Sequence, residues 1–146
     1  MDEGEEHELG GAWGVGAFEN PRALKWIGAL VKAGTPDHVR ATLRVIVDSA
    51  DAPAEEACMD ALAAAEIIAV ALGRASGEVP AEARTWAKTH GDEWTSTDVR
   101  LAVKAVKRIA SDSELKEFWD EVDDVDEWLG EANELASRLS RLVDSH

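Results

Sequence analysis

Apolar positions along this chain recur at intervals of three and four residues, the period of a helix packed on one side, and no stretch alternates as a half-buried strand does. Asn20 and Pro21 open the first such segment. An Asn side chain caps free N–H groups, and a proline at the first helical position loses no hydrogen bond. Ala23, Leu24, Ile27, Leu30 and Val31 then form one apolar stripe, closed by Gly34 and Pro36. Thr35 and Pro36 begin a second helix, with Val39, Leu43, Ile46, Val47 and Ala50 facing one way and Arg40, Arg44 and Asp48 facing water. It breaks at Asp51-Ala52-Pro53. In residues 54–72 the pattern changes: Cys58, Met59, Leu62, Ile67, Ile68, Val70 and Leu72 point nearly all round the helix, which predicts a central one. After a loop over residues 73–77, a short fourth helix starts at Pro80 and closes at Gly91. Thr95 or Ser96 caps a fifth, with Asp98 in its first turn and Val99, Ala102, Val103, Val106, Ile109 and Ala110 as its stripe.

The last segment has the most regular spacing. Leu115, Phe118, Val122, Val125, Leu129, Ala132, Ala136, Leu139 and Val143 alternate at three and four residues, a heptad seam over four heptads. Gly130 costs about 1 kcal/mol against Ala in a helix interior, so the pattern allows one long helix or two joined near Gly130. The expected fold is an all-α, single-domain bundle of five to seven helices over residues 11–146, with a long C-terminal helix or helix pair. Residues 1–10 carry Asp2, Glu3, Glu5, Glu6 and Glu8 with no Lys or Arg, and read as an acidic disordered tail.

Charge narrows the function. The 30 acidic residues against 15 basic ones give a net charge of −15, which repels nucleic acid and anionic membranes alike. One cysteine, Cys58, excludes an intrachain disulfide and reads as a small core residue. The first residues lack the apolar core of a secretory signal, and no run approaches the roughly 18 apolar residues of a membrane span. These features lead us to expect a cytoplasmic protein that binds neither nucleic acid nor membrane.

The stretch "GAWGVGAFEN", Gly11 to Asn20, invites comparison with a phosphate-cradling loop. Gly14 and Gly16 supply two of the glycines of a dinucleotide fingerprint, but Glu19 stands where the third belongs and an acidic segment precedes it where a strand is required. No Gly-Lys-Ser/Thr follows either. The better reading is an aromatic-anchored lead-in to the first helix. Trp13 and Phe18 pin it to the bundle, Phe18 packs back near Leu24, and Gly14 and Gly16 permit positive φ or close approach. The same loop, Trp13, Gly14, Gly16, Phe18 and Asn20, is a candidate binding surface. "WGVGAFENPRALKW", followed by "AAAEIIAVALGR", resembles the bacterial domain-of-unknown-function family 4259, whose members open on Trp-Gly-x-Gly-x-Phe-x-Asn. The resemblance implies one family domain over most of residues 11–143, with residues 1–10 as a variable extension, and implies no activity. Family members often carry Asp after the Asn, where this chain has Pro21.

Residues 112–131 hold ten acids and a single base, Lys116. Glu117/Asp120, Glu121/Asp124 and Asp123/Asp126 fall at i, i+3, the spacing with which helical nucleotide pyrophosphatases hold Mg²⁺. They lie largely off the seam, however, and read as a solvated face open to a basic partner. Glu66 sits among Leu62, Ala63, Ala69 and Val70 on the central helix, where a carboxylate needs a cation from a neighbouring helix or serves as a functional acid. Arg100, Lys104, Lys107 and Arg108 share one face of the fifth helix and read as lying against acids of another helix. His7, His38, His90 and His146 are isolated, without zinc spacing, and no nucleophile elbow is present. The resulting expectation includes no catalytic centre, no metal and no cofactor. It is a non-catalytic binding protein, of inhibitor or immunity type, presenting Glu117, Asp120, Glu121 and Asp124 to a basic protein partner, with Glu66 as a second candidate. Two alternatives stay open: a small metal-dependent nucleotide hydrolase using helix carboxylates, and a structural bundle that forms a homo-oligomer through residues 115–143.

Overall fold

The computed structural model describes residues 16–75 and 79–144. They form seven helices: α1 (Pro21–Ala33), α2 (Pro36–Val47), α3 (Glu55–Ala71), α4 (Ala81–Thr89), α5 (Ser96–Ser111), α6 (Glu114–Glu121) and α7 (Val125–Asp144). Among the described residues there is no strand, so the fold is an all-α bundle. None of these helices is long and apolar enough to cross a membrane.

Side-chain caps fix the helix starts that the sequence marks. Asn20 Oδ1 accepts the Ala23 N–H at 2.7 Å. At α5 a reciprocal capping box closes: Thr95 Oγ1 accepts the Asp98 N–H at 3.3 Å, and Asp98 Oδ2 accepts the Thr95 N–H at 3.0 Å. Ser113 Oγ donates to the Ile109 carbonyl at 2.7 Å and accepts the Lys116 N–H at 3.0 Å, joining the end of α5 to the start of α6. Thr35 occupies the N-cap of α2 but makes no side-chain cap bond. Gly34 is required sterically, because a Cβ there would meet the backbone Cα of Leu30 at 2.7 Å.

As expected, α3 is the central helix: it packs against all six others, and every residue from Ala61 to Val70 is buried. Five of those ten are Ala, which lets neighbouring helices approach closely on every side. The rest of the core comes from one stripe of each surrounding helix, including Ile27 and Leu30 of α1, Leu43 and Ile46 of α2, Val106 and Ile109 of α5, and Leu139 of α7.

Two stripes differ from the sequence pattern. On α1, Leu24 is 36% exposed and Trp26 is buried in its place, its indole N–H donating to Thr42 Oγ1 at 3.2 Å. The larger aromatic surface wins the inward position. At the C-terminus the seam is interrupted: α6 and α7 are separate helices, and the break lies at Val122–Asp124, not at Gly130. Asp123 adopts φ 68°, a left-handed conformation that Asp tolerates better than most residues. Gly130 is an exposed position inside α7. In α7 the seam residues Ala132, Ala136 and Leu139 are buried together with Trp128, Leu135 and Leu142, while Val125, Leu129 and Val143 are half-buried against the core.

Candidate functional site

The glycine-rich opening ends in a turn closed from both sides. The Glu19 N–H donates to the Gly16 carbonyl at 3.0 Å, and the Gly16 N–H donates to Glu19 Oε1 at 2.8 Å. The chain's own carboxylate therefore occupies the N–H that a phosphate would need. A Cβ at Gly16 would meet Glu19 Oε1 at 2.7 Å and swing that side chain away. Phe18 is buried in the core and Asn20 is buried as the α1 cap. Trp13 and Gly14 lie outside the described residues.

Glu66 is buried, 3% exposed, and its cation is Arg138 of α7. Arg138 Nη1 donates to Glu66 Oε2 at 2.5 Å and Nη2 to Glu66 Oε1 at 3.3 Å. The same guanidinium donates to both oxygens of Glu134, at 3.0 and 2.6 Å, and to the Arg74 carbonyl just past the end of α3, at 2.9 Å. Burial opposes the Arg138 charge, but hydrogen bonds to Glu134 and Glu66 hold its pKa above the ordinary arginine value. The Arg138 hydrogen bond in turn holds the Glu134 carboxyl below its usual range. A cavity of about 20 Å³ adjoins this pair, lined by Ala17, Glu66, Trp128, Glu131 and Arg138 among others. It brings the opening turn and Glu66, far apart in sequence, to one place. Its size suits a single water rather than a substrate. Arg138 is the residue that sequence reasoning missed, and its signal was present: Leu135, Arg138 and Leu142 are spaced three and four apart, which places an arginine on an apolar stripe.

A second interior pair joins α2 to α5. Arg40, expected to face water, is half-buried: its Nε and Nη2 donate to the two oxygens of Asp98 at 2.8 and 3.0 Å, and its guanidinium lies 5.3 Å from the Trp94 ring centroid. Burial works against the Asp98 charge, yet hydrogen bonds from Arg40 and Thr95 keep its carboxyl below the usual range. Cys58 is buried, and desolvation pushes its thiol up to about 11, which suits a core residue and not a nucleophile. His38 stacks on Trp26 at 5.5 Å, and His90 Nδ1 lies 2.6 Å from Glu93 Oε2.

The acids of the C-terminal third are arranged differently. All ten carboxylates of residues 112–131 are exposed. Glu117 and Asp120 share α6, but the Glu121/Asp124 and Asp123/Asp126 pairs straddle the break, so their spacing is not that of one helix. Glu117, Asp120, Glu121 and Asp124 do not join the cavity beside Glu66. Among the described residues, no group of three or more His, Cys, Asp or Glu side chains is placed to hold a metal ion. On α5, Arg108 donates to the Ser49 and Asp51 carbonyls at 3.1 and 2.8 Å, tying down the chain after α2, while Arg100, Lys104 and Lys107 are exposed.

No curated protein and no solved structure matches the chain. A family model does match, over residues 11–131, a span that contains the opening turn, Glu66 and the acidic surface and stops short of Arg138. The chain therefore belongs to the DUF4259 family, described as a domain of unknown function.

Proposed function

We propose that this protein is a non-catalytic binding protein that presents the carboxylates of α6 and the first half of α7 to a basic protein partner. One observation carries the reading: ten carboxylates over residues 112–131 all reach solvent, with Lys116 the single base among them. Glu66 and Asp98, by contrast, are buried and held by arginines, so neither offers a free charge to a ligand. Exposed like charges raise the association rate of an oppositely charged partner and set its orientation. The seam of residues 115–143 does not favour self-association, since Leu115, Ala132, Ala136 and Leu139 are buried within this chain. The hydrolase reading gains no support, since among the described residues no group of three or more His, Cys, Asp or Glu side chains is placed to hold a metal ion.

The test is affinity capture from cells at low and high salt, followed by binding of the purified partner. A variant carrying Glu117→Gln, Asp120→Asn, Glu121→Gln and Asp124→Asn serves as comparison. A basic partner whose affinity falls with salt and with the four substitutions is the expected result. A partner retained equally by both proteins, or at high salt, overturns the proposal.

A further inference from the structure

A surface groove crosses the first turns of α1, α3 and α6. On one side of the Arg22–Asp60 bridge it forms a hollow of about 590 Å³ over Pro21, Ala54 and Met59, walled by Glu55, Glu56 and Glu114. On the other side it continues as a hollow of about 320 Å³ over Thr42, Val45 and Ala57. Arg22 lines both parts, and both of its hydrogen bonds to Asp60 are 2.9 Å. Val45, at 56% exposure, has the most solvent-exposed large apolar side chain described.

We propose that this groove docks a basic amphipathic helix of a protein partner. The inference rests on the acidic-surface reading above and localises it, since Glu114 belongs to both. The charge of the groove selects a cation. Its one cationic wall residue, Arg22, is held bidentately by Asp60 and reaches Glu56 only through a weaker electrostatic attraction, so Glu55, Glu56 and Glu114 together outnumber the cationic charge of the lining. Three helix starts contribute roughly half a positive charge each, which offsets only about half of three carboxylates. Partial burial raises the Glu55 carboxyl pKa, and Glu56, Glu114 and Glu121 raise it further, as expected of a site short of a counter-charge. The apolar floor selects a side-chain-bearing partner over a bare cation. The exposed Pro21 in one hollow and the exposed Val45 in the other offer two separate apolar contacts, as successive anchors of a helix require. Among the described residues there is no strand edge for an extended peptide to extend.

The experiment uses the full chain and a labelled, helical Leu/Lys peptide as probe, read by fluorescence anisotropy. A peptide of the same composition in shuffled order is the control. Two variants remove the same number of charges: Glu55→Gln/Glu56→Gln/Glu114→Gln in the groove, and Asp120→Asn/Asp126→Asn/Glu127→Gln outside it. The groove variant is expected to weaken binding about tenfold and the outer variant, whose acids belong to the wider acidic surface, only about two- to threefold for the same charge change. Val45→Ser, at an exposed position that leaves the core intact, weakens it a few-fold, and the shuffled peptide binds more weakly than the amphipathic one. If the two charge variants weaken binding equally, or the outer one weakens it more, the groove is overturned while the acidic surface stands. If neither matters, both readings fail.

Discussion

Glu66 on α3 is 3% exposed and holds both oxygens on the Arg138 guanidinium, whereas Glu117, Asp120, Glu121 and Asp124 around α6 all stand in water. The two regions use the same functional group under opposite rules. Inside the bundle a carboxylate is tolerated only with a partner, because an unpaired buried charge costs several kcal/mol. Arg138 and Arg40 answer that need by facing inward. On the outside no such rule applies, and acidic residues accumulate until they define a surface. The difference teaches that in this chain the acids fixed most firmly by the fold are the least available for chemistry.

The largest expected effect breaks the interior half of the comparison. Arg138→Met leaves Glu66 buried without a cation and should cost about 3–5 kcal/mol in urea unfolding. Adding Glu66→Gln should recover much of that loss. A cost below about 1 kcal/mol for Arg138→Met would place Glu66 with the surface acids.

Acid titration separates the same groups next. Glu134 and Asp98 titrate below their ordinary values of 4.5 and 3.8 in the fold, so their stabilisation is present above those values and is lost as pH falls through the lower, folded ones. Glu55 has the opposite sign: its folded pKa is raised above 4.5, so its ionisation opposes folding above that value and protonation relieves it. Stability measured against pH should therefore fall less steeply on acidification in Asp98→Asn, and be higher near neutrality in Glu55→Gln.

On the wet side of α7, Gly130→Ala should stabilise the fold by up to about 1 kcal/mol through helix propensity alone. An added Cβ there meets nothing within 4 Å. The smallest effect is expected from Asp120→Asn/Asp126→Asn/Glu127→Gln, whose substitutions should each shift stability by no more than about 0.5 kcal/mol in thermal unfolding. A larger loss would mean that the surface acids are structural after all.

Much of the scaffold was legible because its signals are local. The Asn20 cap and the apolar circumference of α3 are each contained within a few helical turns and appear as read, and of the two caps the sequence offers for α5 the structure uses Thr95, boxed with Asp98. The need of Glu66 for a cation was also legible, since its neighbours along the helix are apolar. The identity of that cation was not: Arg138 lies 72 residues away, and helical spacing says nothing about which helices meet. The place where the C-terminal helix pair divides was illegible for a related reason, although every residue of the seam packs on the core. A heptad pattern continues through Val122 and Val125 regardless of what the backbone does, and a left-handed Asp123 interrupts the helix without disturbing the spacing. The carboxylate pairs at i, i+3 were misleading in the same way, because two of the three pairs cross that interruption.

The reach of Arg138 also bears on synthesis. Its guanidinium ties together Glu66 and the Arg74 carbonyl just past the end of α3, which is itself in contact with every other helix. While the ribosome is still adding α7, that centre lacks both its last packing partner and the counter-charge for its buried acid. A nascent chain that stops at residue 131, the end of the family match, lacks Arg138, so Glu66 must stay in water or take up a proton until α7 arrives.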